Sequence, residues 1–194
     1  MASVTCAVYY LMKYMINLFV KLQKEGLLKQ DGSILDLGCG NGRLSEPFFK
    51  SDYKVTLVDK DSKMLREAED NFKKIKESGF QSLNTSIEDF EFNEVYDGII
   101  MSNVLPFQKN KENISRIVQT AFDKLNKGGF LYFTLFGVKD QWVKEYPNMI
   151  FYEKEEALGI IKREPYYLSE DFGKGSTMKG DIKTWHIFCL LYIK

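Results

Sequence analysis

Apolar positions recur along the chain with two periods, and the alternation between those periods sets the fold class. Short apolar runs predict buried strands over residues 33–37, 55–58, 83–87, 96–101 and 130–136. Between them the apolar residues return at helical spacing. Met64, Leu65, Ala68, Phe72 and Ile75 form one helix face behind a predicted N-cap at Ser62, and Gly79 stops that helix. Another helix is predicted from about Arg43. The cleanest helical period belongs to Ile114, Ile117, Val118, Ala121, Phe122 and Leu125, with Gly128 and Gly129 as its terminator. Strands alternating with helices imply a parallel sheet covered on both faces.

The two ends depart from this rhythm. Val8, Leu11, Met15, Leu18, Phe19 and Leu22 predict an N-terminal amphipathic helix. Lys13 and Asn17 interrupt its apolar run, no basic leader precedes it, and the run is shorter than the ~20 residues of a membrane span. A soluble helix is therefore expected, not a signal peptide or an anchor. After Gly137 the pattern predicts a short helix or loop at 142–147, a short strand at 149–152 and a helix at 155–162. A polar, glycine-rich loop is expected over 169–181 and a closing strand over 185–193. The last two strands are expected to add an antiparallel edge to the parallel core.

Composition narrows the function classes. A chain of 194 residues with 44% hydrophobic and 28% charged positions fits one globular domain. Lys plus Arg equals Asp plus Glu at 27 each, so the basic excess that drives nucleic-acid wrapping is missing. The three cysteines, Cys6, Cys39 and Cys189, lie far apart, and there is a single histidine. Neither a disulfide framework nor a metal site is expected, and a reducing cytoplasm fits.

The candidate chemistry lies at Ile34-Leu-Asp-Leu-Gly-Cys-Gly-Asn-Gly-Arg43. A buried strand runs into Gly38, Gly40 and Gly42 and then into a helix. Glycine removes the Cβ that would keep a ligand off the backbone. In an open α/β sheet such a turn lies at the carboxyl ends of the strands, beside the switch-point crevice. The next strand ends at Asp59, seventeen residues past Gly42, where a carboxylate can accept both hydroxyls of a ribose. A dinucleotide fingerprint would need glycine at position 43, which is Arg43, and no Gly-Lys-Ser/Thr follows to cradle a triphosphate.

These residues resemble the class I S-adenosylmethionine-dependent methyltransferases. Residues 34–43 look like their first motif and 55–59 like their second. Asn84-Thr-Ser-Ile-Glu-Asp-Phe90 resembles the segment that wraps the adenine, Tyr96 to Leu105 the fourth-strand motif, and Leu125 to Phe136 the fifth. The Glu-rich helix and the Lys183-Thr-Trp-His186 ending look similar to small bacterial members of the tellurite-resistance type.

The resemblance implies a Rossmann-like three-layer α/β sandwich with a seven-stranded, mostly parallel sheet, an antiparallel edge and an N-terminal helix. It implies one domain over 1–194, with a helical cap at 1–30, a cofactor-binding core at 31–137 and an acceptor-side segment at 138–194. S-adenosyl-L-methionine would be the cofactor and S-adenosyl-L-homocysteine the product. Asp36, Gly38, Cys39 and Gly40 would flank the methionine half. Asp59 and Lys60 would meet the ribose, and Ser86, Ile87 and Glu88 the adenine. Ser102 and Asn103 would lie near the sulfonium. Relatives often carry Asp where this chain has Ser86.

Methyl transfer needs alignment more than acid–base chemistry, so the lack of an obvious catalytic set does not oppose this reading. The fourth strand continues as Ser102-Asn-Val-Leu-Pro-Phe107 and lacks the Asn/Asp-Pro-Pro-aromatic pattern of enzymes acting on base amino groups. A small-molecule acceptor is therefore expected, with no nucleic acid and no membrane. His186 is the one candidate general base. Tyr9, Tyr10, Tyr14, Phe107, Trp142, Tyr146, Tyr166 and Tyr167 are candidates to line an acceptor pocket. The alternatives are a non-catalytic S-adenosylmethionine-binding module and a nicotinamide-dependent oxidoreductase.

Overall fold

The computed structural model describes residues 17–177 and 180–194. Five parallel strands form the core of one sheet: β1 (Ser33–Leu37), β2 (Lys54–Val58), β3 (Phe80–Leu83), β4 (Tyr96–Met101) and β5 (Leu125–Gly137). A two-residue β6 (Phe151–Tyr152) pairs parallel to the end of β5. Strands β7 (Tyr167–Ser176) and β8 (Ile182–Ile193) close the sheet antiparallel. The order is β3-β2-β1-β4-β5-β8-β7. Helical turns over 17–24 (α1) precede α2 (Glu46–Lys50), α3 (Ser62–Lys73), α4 (Lys111–Asp123), α5 (Trp142–Glu145) and α6 (Lys154–Leu158). A 3₁₀ turn spans Leu105–Phe107.

The result is a Rossmann-like three-layer sandwich, and strand alternation builds it. Ile34, Val55, Leu57, Ile100 and Tyr132 face one side with Leu18, Phe48, Leu65 and Phe72. Leu35, Leu37, Ile99, Met101 and Leu131 face the other with Ile114, Ile117, Ala121 and Ala157. The chain leaves β1 toward β2 and β3, then returns to β4 and β5 on its other side. The switch point therefore lies between the carboxyl ends of β1 and β4. The Tyr9, Tyr10 and Tyr14 side chains and the first half of the expected N-terminal helix lie outside the described residues.

Several expected elements are corrected. Among the described residues eight strands form the sheet where seven were expected, because residues 167–176 pair with β8 across ten positions instead of looping. An outer strand has one neighbour and needs no apolar alternation, so its glycines and charges disguised it. The strand at 151–152 pairs parallel to β5 and is not part of the antiparallel edge. The third strand occupies Phe80–Leu83, in register with Val55–Val58, and residues 84–87 run beyond the sheet. The N-cap of α3 is Asp61, whose carboxylate accepts the amides of Lys63 and Met64. Gly128 and Gly129 lie within β5, since α4 has already ended at Asp123.

Candidate functional site

The glycine turn bridges the ends of β1 and β2. The Gly38 and Cys39 amides both donate to the Val58 carbonyl, at 2.7 and 3.0 Å. Gly40 donates to Asp59 Oδ2 at 2.7 Å, and Asp61 donates to Oδ1 of the same carboxylate at 2.8 Å. Asp59 thus holds the middle of the turn and the start of α3 together.

The glycines differ in what they face. All three have positive φ. A Cβ on Gly42 would stand 2.9 Å from the Phe72 ring and 3.2 Å from Ala68, so this glycine lets the turn pack on α3. A Cβ on Gly38 would meet Val104 Cγ2 at 2.6 Å, so bare backbone here admits the loop after β4. Around Gly40 the nearest atom to such a Cβ is Met64 Cε at 3.6 Å. Gly40 is the place where bare backbone remains open.

Asp36 lies beneath the turn, 1% exposed, and accepts the Ser45 hydroxyl at 2.7 Å. Burial pushes its carboxyl up to about 7; the Ser45 bond opposes this and the Asp59 charge adds to it. Cys39 is buried beside the same two carboxylates. Burial and those charges drive its thiol far up, away from thiolate chemistry.

The loop after β4 forms the facing wall. Asn103 has φ +56, a strained value for a non-glycine residue. A reciprocal hook holds it: its amide donates to Thr134 Oγ1 at 2.8 Å, and that hydroxyl donates back to Asn103 Oδ1 at 3.2 Å. Ser102 Oγ, shielded from solvent, makes no hydrogen bond among the described residues. An unmet donor and a strained residue side by side are features of ligand sites.

Residues 84–89 flank the opposite side. Asn84 Nδ2 donates to the Asp59 carbonyl at 2.8 Å, tying this loop to the end of β2. Ile87 is buried. Ser86 donates to Asp89 Oδ2 at 2.7 Å, and Glu88 accepts from Asn113 at 2.8 Å. Lys60 is exposed at the rim. The fold therefore gathers Asp36, Gly38, Cys39, Gly40, Asp59, Ser102 and Asn103 at the carboxyl ends of β1, β2 and β4, with Ser86, Ile87 and Glu88 beyond β3. The Thr134 hook, the tie from Asn84 to the end of β2 and the approach of Met64 to Gly40 were not foreseen, because they depend on contacts between elements.

His186 stands apart from this group. Its ring is 2% exposed. Nδ1 accepts the Lys139 amide at 3.1 Å, so in the neutral ring Nε2 carries the proton and donates to Glu170 Oε1 at 3.1 Å. Its own amide donates to Asp140 Oδ2 at 3.0 Å. Both ring nitrogens serve to pin β8 to β7 and to the turn after β5. No lone pair remains for a substrate proton.

Asp140 is the center of this second cluster. It accepts the amides of Trp142 and His186 and pairs with Lys183, both side chains being almost wholly buried. The Lys183 ammonium lies 3.6 Å from the Trp142 ring centroid and 3.9 Å from that of Trp185. Burial lowers its pKa, and the Asp140 carboxylate opposes that shift. Of the candidate aromatics, Trp142 and Tyr146 meet here, and Phe107 joins them through the Phe136 ring. Tyr166 instead bonds Glu25, and Tyr167 packs on the face that carries Leu18.

A methyltransferase-domain profile matches residues 34–129, which contain the glycine turn, Asp59 and the loop after β4. That match spans just under half of the chain, and over it the chain is similar to methyltransferase domains. The chain is 26% identical over 144 residues to YqeM of Bacillus subtilis strain 168, a protein assigned as a methyltransferase. That alignment covers 71% of this chain and 55% of YqeM, so the chain spans about half the length of this curated relative. Among solved structures it resembles TehB from Haemophilus influenzae with TM-score 0.74 and 19% identity, covering 92% of this chain and 61% of TehB. It also resembles the magnesium protoporphyrin IX methyltransferase ChlM from Synechocystis PCC 6803, solved with bound S-adenosylhomocysteine. There the TM-score is 0.67 and the identity 17%, covering 94% of this chain and 83% of ChlM. No helix among the described residues is long and apolar enough to cross a membrane.

Proposed function

We propose that this chain transfers a methyl group from S-adenosylmethionine to a small-molecule acceptor, in the crevice between the glycine turn and the loop after β4. The observation that carries the reading is the open backbone at Gly40 beside the Asp59 carboxylate. Asp59 has lone pairs left for ribose hydroxyls, since each oxygen accepts one amide. Gly40 lets the cofactor backbone approach. Asp36 and the turn amides flank the amino-acid half. The Ile87 amide meets the adenine edge, and Ser102 supplies the unmet hydroxyl beside Asn103.

When bound, the cofactor supplies a methyl group on a sulfonium, which an acceptor lone pair takes while the carbon–sulfur bond breaks onto sulfur. The chain's task is alignment: the Asn103–Thr134 hook and the Asp59–Gly40 bond fix the two walls before a ligand arrives. We read the chain as one domain, with the segment after residue 137 on the acceptor side. His186 is given a positioning role and no proton to carry.

Thermal stabilisation by S-adenosylhomocysteine, set against NAD, tests the reading. A ligand that binds only the native state raises the melting temperature by mass action. Stabilisation by S-adenosylhomocysteine alone is the expected result. Stabilisation by NAD alone, or by neither, overturns it.

A further inference from the structure

Beyond the cofactor crevice, the carboxyl ends of β4 and β5 carry a run of aromatic rings. Phe107 closes the 3₁₀ turn that follows Asn103 and stands edge-on to Phe136 near the end of β5, centroids 6.4 Å apart. Phe136 contacts Trp142 at 5.9 Å, and Trp142 contacts Tyr146 at 5.2 Å and Trp185 at 5.3 Å. Phe136 and Trp185 are buried, whereas Phe107 is 53% and Tyr146 49% exposed. The run therefore has a buried back and an open front. It starts from the same loop that holds Ser102 and Asn103.

The charge pattern limits what can lie on that front. Lys183 already places its ammonium on the faces of Trp142 and Trp185, and Asp140 neutralises it. A cationic ligand would meet π faces already occupied by a cation. An anion would find Lys183 buried and paired. The Asp140 carboxylate also accepts the Trp142 amide at 2.9 Å, which fixes the backbone carrying that ring. The buried charge is paired, and the ring surfaces that Phe107 and Tyr146 leave exposed are complementary to a flat, uncharged ring.

We propose that Phe107, Trp142 and Tyr146 form the acceptor-binding wall and that the acceptor is a planar, uncharged aromatic or heteroaromatic small molecule. This rests on the reading that the adjacent crevice holds S-adenosylmethionine. It names the class of molecule that shares the site.

The chain's two tryptophans, Trp142 and Trp185, both lie in this cluster, so each fluorine signal of the fluorotryptophan-labelled protein reports on it. The labelled full chain, saturated with S-adenosylhomocysteine, is titrated with naphthol and separately with tetramethylammonium. Naphthol is expected to shift the Trp142 signal saturably, and tetramethylammonium is not. The double variant Phe107→Ala with Tyr146→Ala is expected to bind naphthol about tenfold more weakly while keeping its S-adenosylhomocysteine affinity. That retained affinity also shows that the variant is folded. If S-adenosylhomocysteine binds and naphthol gives no saturable shift, the acceptor inference alone falls. It falls equally if the double variant binds naphthol unchanged, or if tetramethylammonium binds as well as naphthol does. Failure of S-adenosylhomocysteine to bind overturns the cofactor reading, and this inference with it.

Discussion

Asp59 Oδ2 accepts the Gly40 amide at 2.7 Å and so joins the end of β2 to the middle of the glycine turn. One carboxylate therefore shapes the cradle and, in the function proposed above, also offers acceptors to a ribose. Asp59→Ala removes both functions. S-adenosylhomocysteine affinity is expected to fall by more than about tenfold, or about 1.4 kcal/mol. Asp59→Asn keeps one acceptor oxygen and should fall between the two. Titration calorimetry measures both variants, and unchanged affinity in the alanine variant would remove Asp59 from the site.

Gly42 is closed in by packing, whereas Gly40 leaves its backbone open. Gly42→Ala faces the Phe72 ring at 2.9 Å from a φ of +78. Its expected cost to folding is about 2 kcal/mol or more, read by urea denaturation. Gly40→Ala meets only Met64 at 3.6 Å and carries the backbone penalty alone, about 1 kcal/mol. Its expected signature is a folded protein that has lost S-adenosylhomocysteine binding. Equal destabilisation of the two variants would contradict the division.

Much of this site was legible in the chain because local rules wrote it. The strand–glycine turn–helix passage and the acid at the end of the next strand are short-range features, and the structure brings Asp36, Gly40 and Asp59 together as their spacing implies. The periodic face of α4 likewise became a buried face. Long-range features were not legible. Strand β7 has no apolar period, because only its pairing with β8 makes it a strand. The Asp140–Lys183 pair joins residues forty-three positions apart, and no local pattern marks it. His186 drew attention as the lone imidazole, yet its neighbours from β7 and the turn after β5 take both nitrogens.

Asp36 makes stability fall with rising pH. Its folded pKa, about 7, is above the ordinary 3.8, so between those values the unfolded chain loses a proton that the native state keeps. Stability is fully present below the lower value and declines toward the upper one. Asp36→Asn retains an acceptor for Ser45 and avoids the buried charge. It is expected to flatten this slope and to melt higher than the parent at neutral pH, as calorimetric scans across the window would reveal.

Asp97 acts with the opposite sign at the other end of the sheet. Burial pushes its carboxyl up, but the Ser33 amide at 2.9 Å, Asn126 at 2.8 Å and Lys29 outweigh burial and hold it below the ordinary value. Its contribution is present above 3.8 and lost as pH falls below that value. Asp97→Ala should cost about 1–3 kcal/mol at neutral pH, because Ser33 and Asn126 lose their acceptor. The deficit should shrink in acid, where the parent has protonated. A deficit independent of pH would show that the carboxylate charge is not what matters.

Lys183 and Asp140 illustrate why a buried pair is better removed whole than halved. Asp140→Ala leaves an ammonium shut among Phe136, Trp142 and Trp185 with only the Glu145 charge to oppose its burial, and strips the acceptor from two backbone amides. The expected loss is about 3–5 kcal/mol by urea denaturation at neutral pH. Lys183→Met keeps most of the volume, and Asp140 retains its amide donors, so the loss should be smaller. The double variant Asp140→Asn with Lys183→Met should then be more stable than Asp140→Ala alone. The pH dependence gives an independent check. Burial already holds the Lys183 pKa below its ordinary 10.5, and loss of the carboxylate lowers it further. The unfolded chain then binds a proton that the native state has released, so the stability of Asp140→Ala should rise with pH. Its deficit against the parent should be visibly smaller at about pH 9.5 than at neutrality. An unchanged deficit would mean that the lost amide bonds, and not the stranded charge, account for the damage.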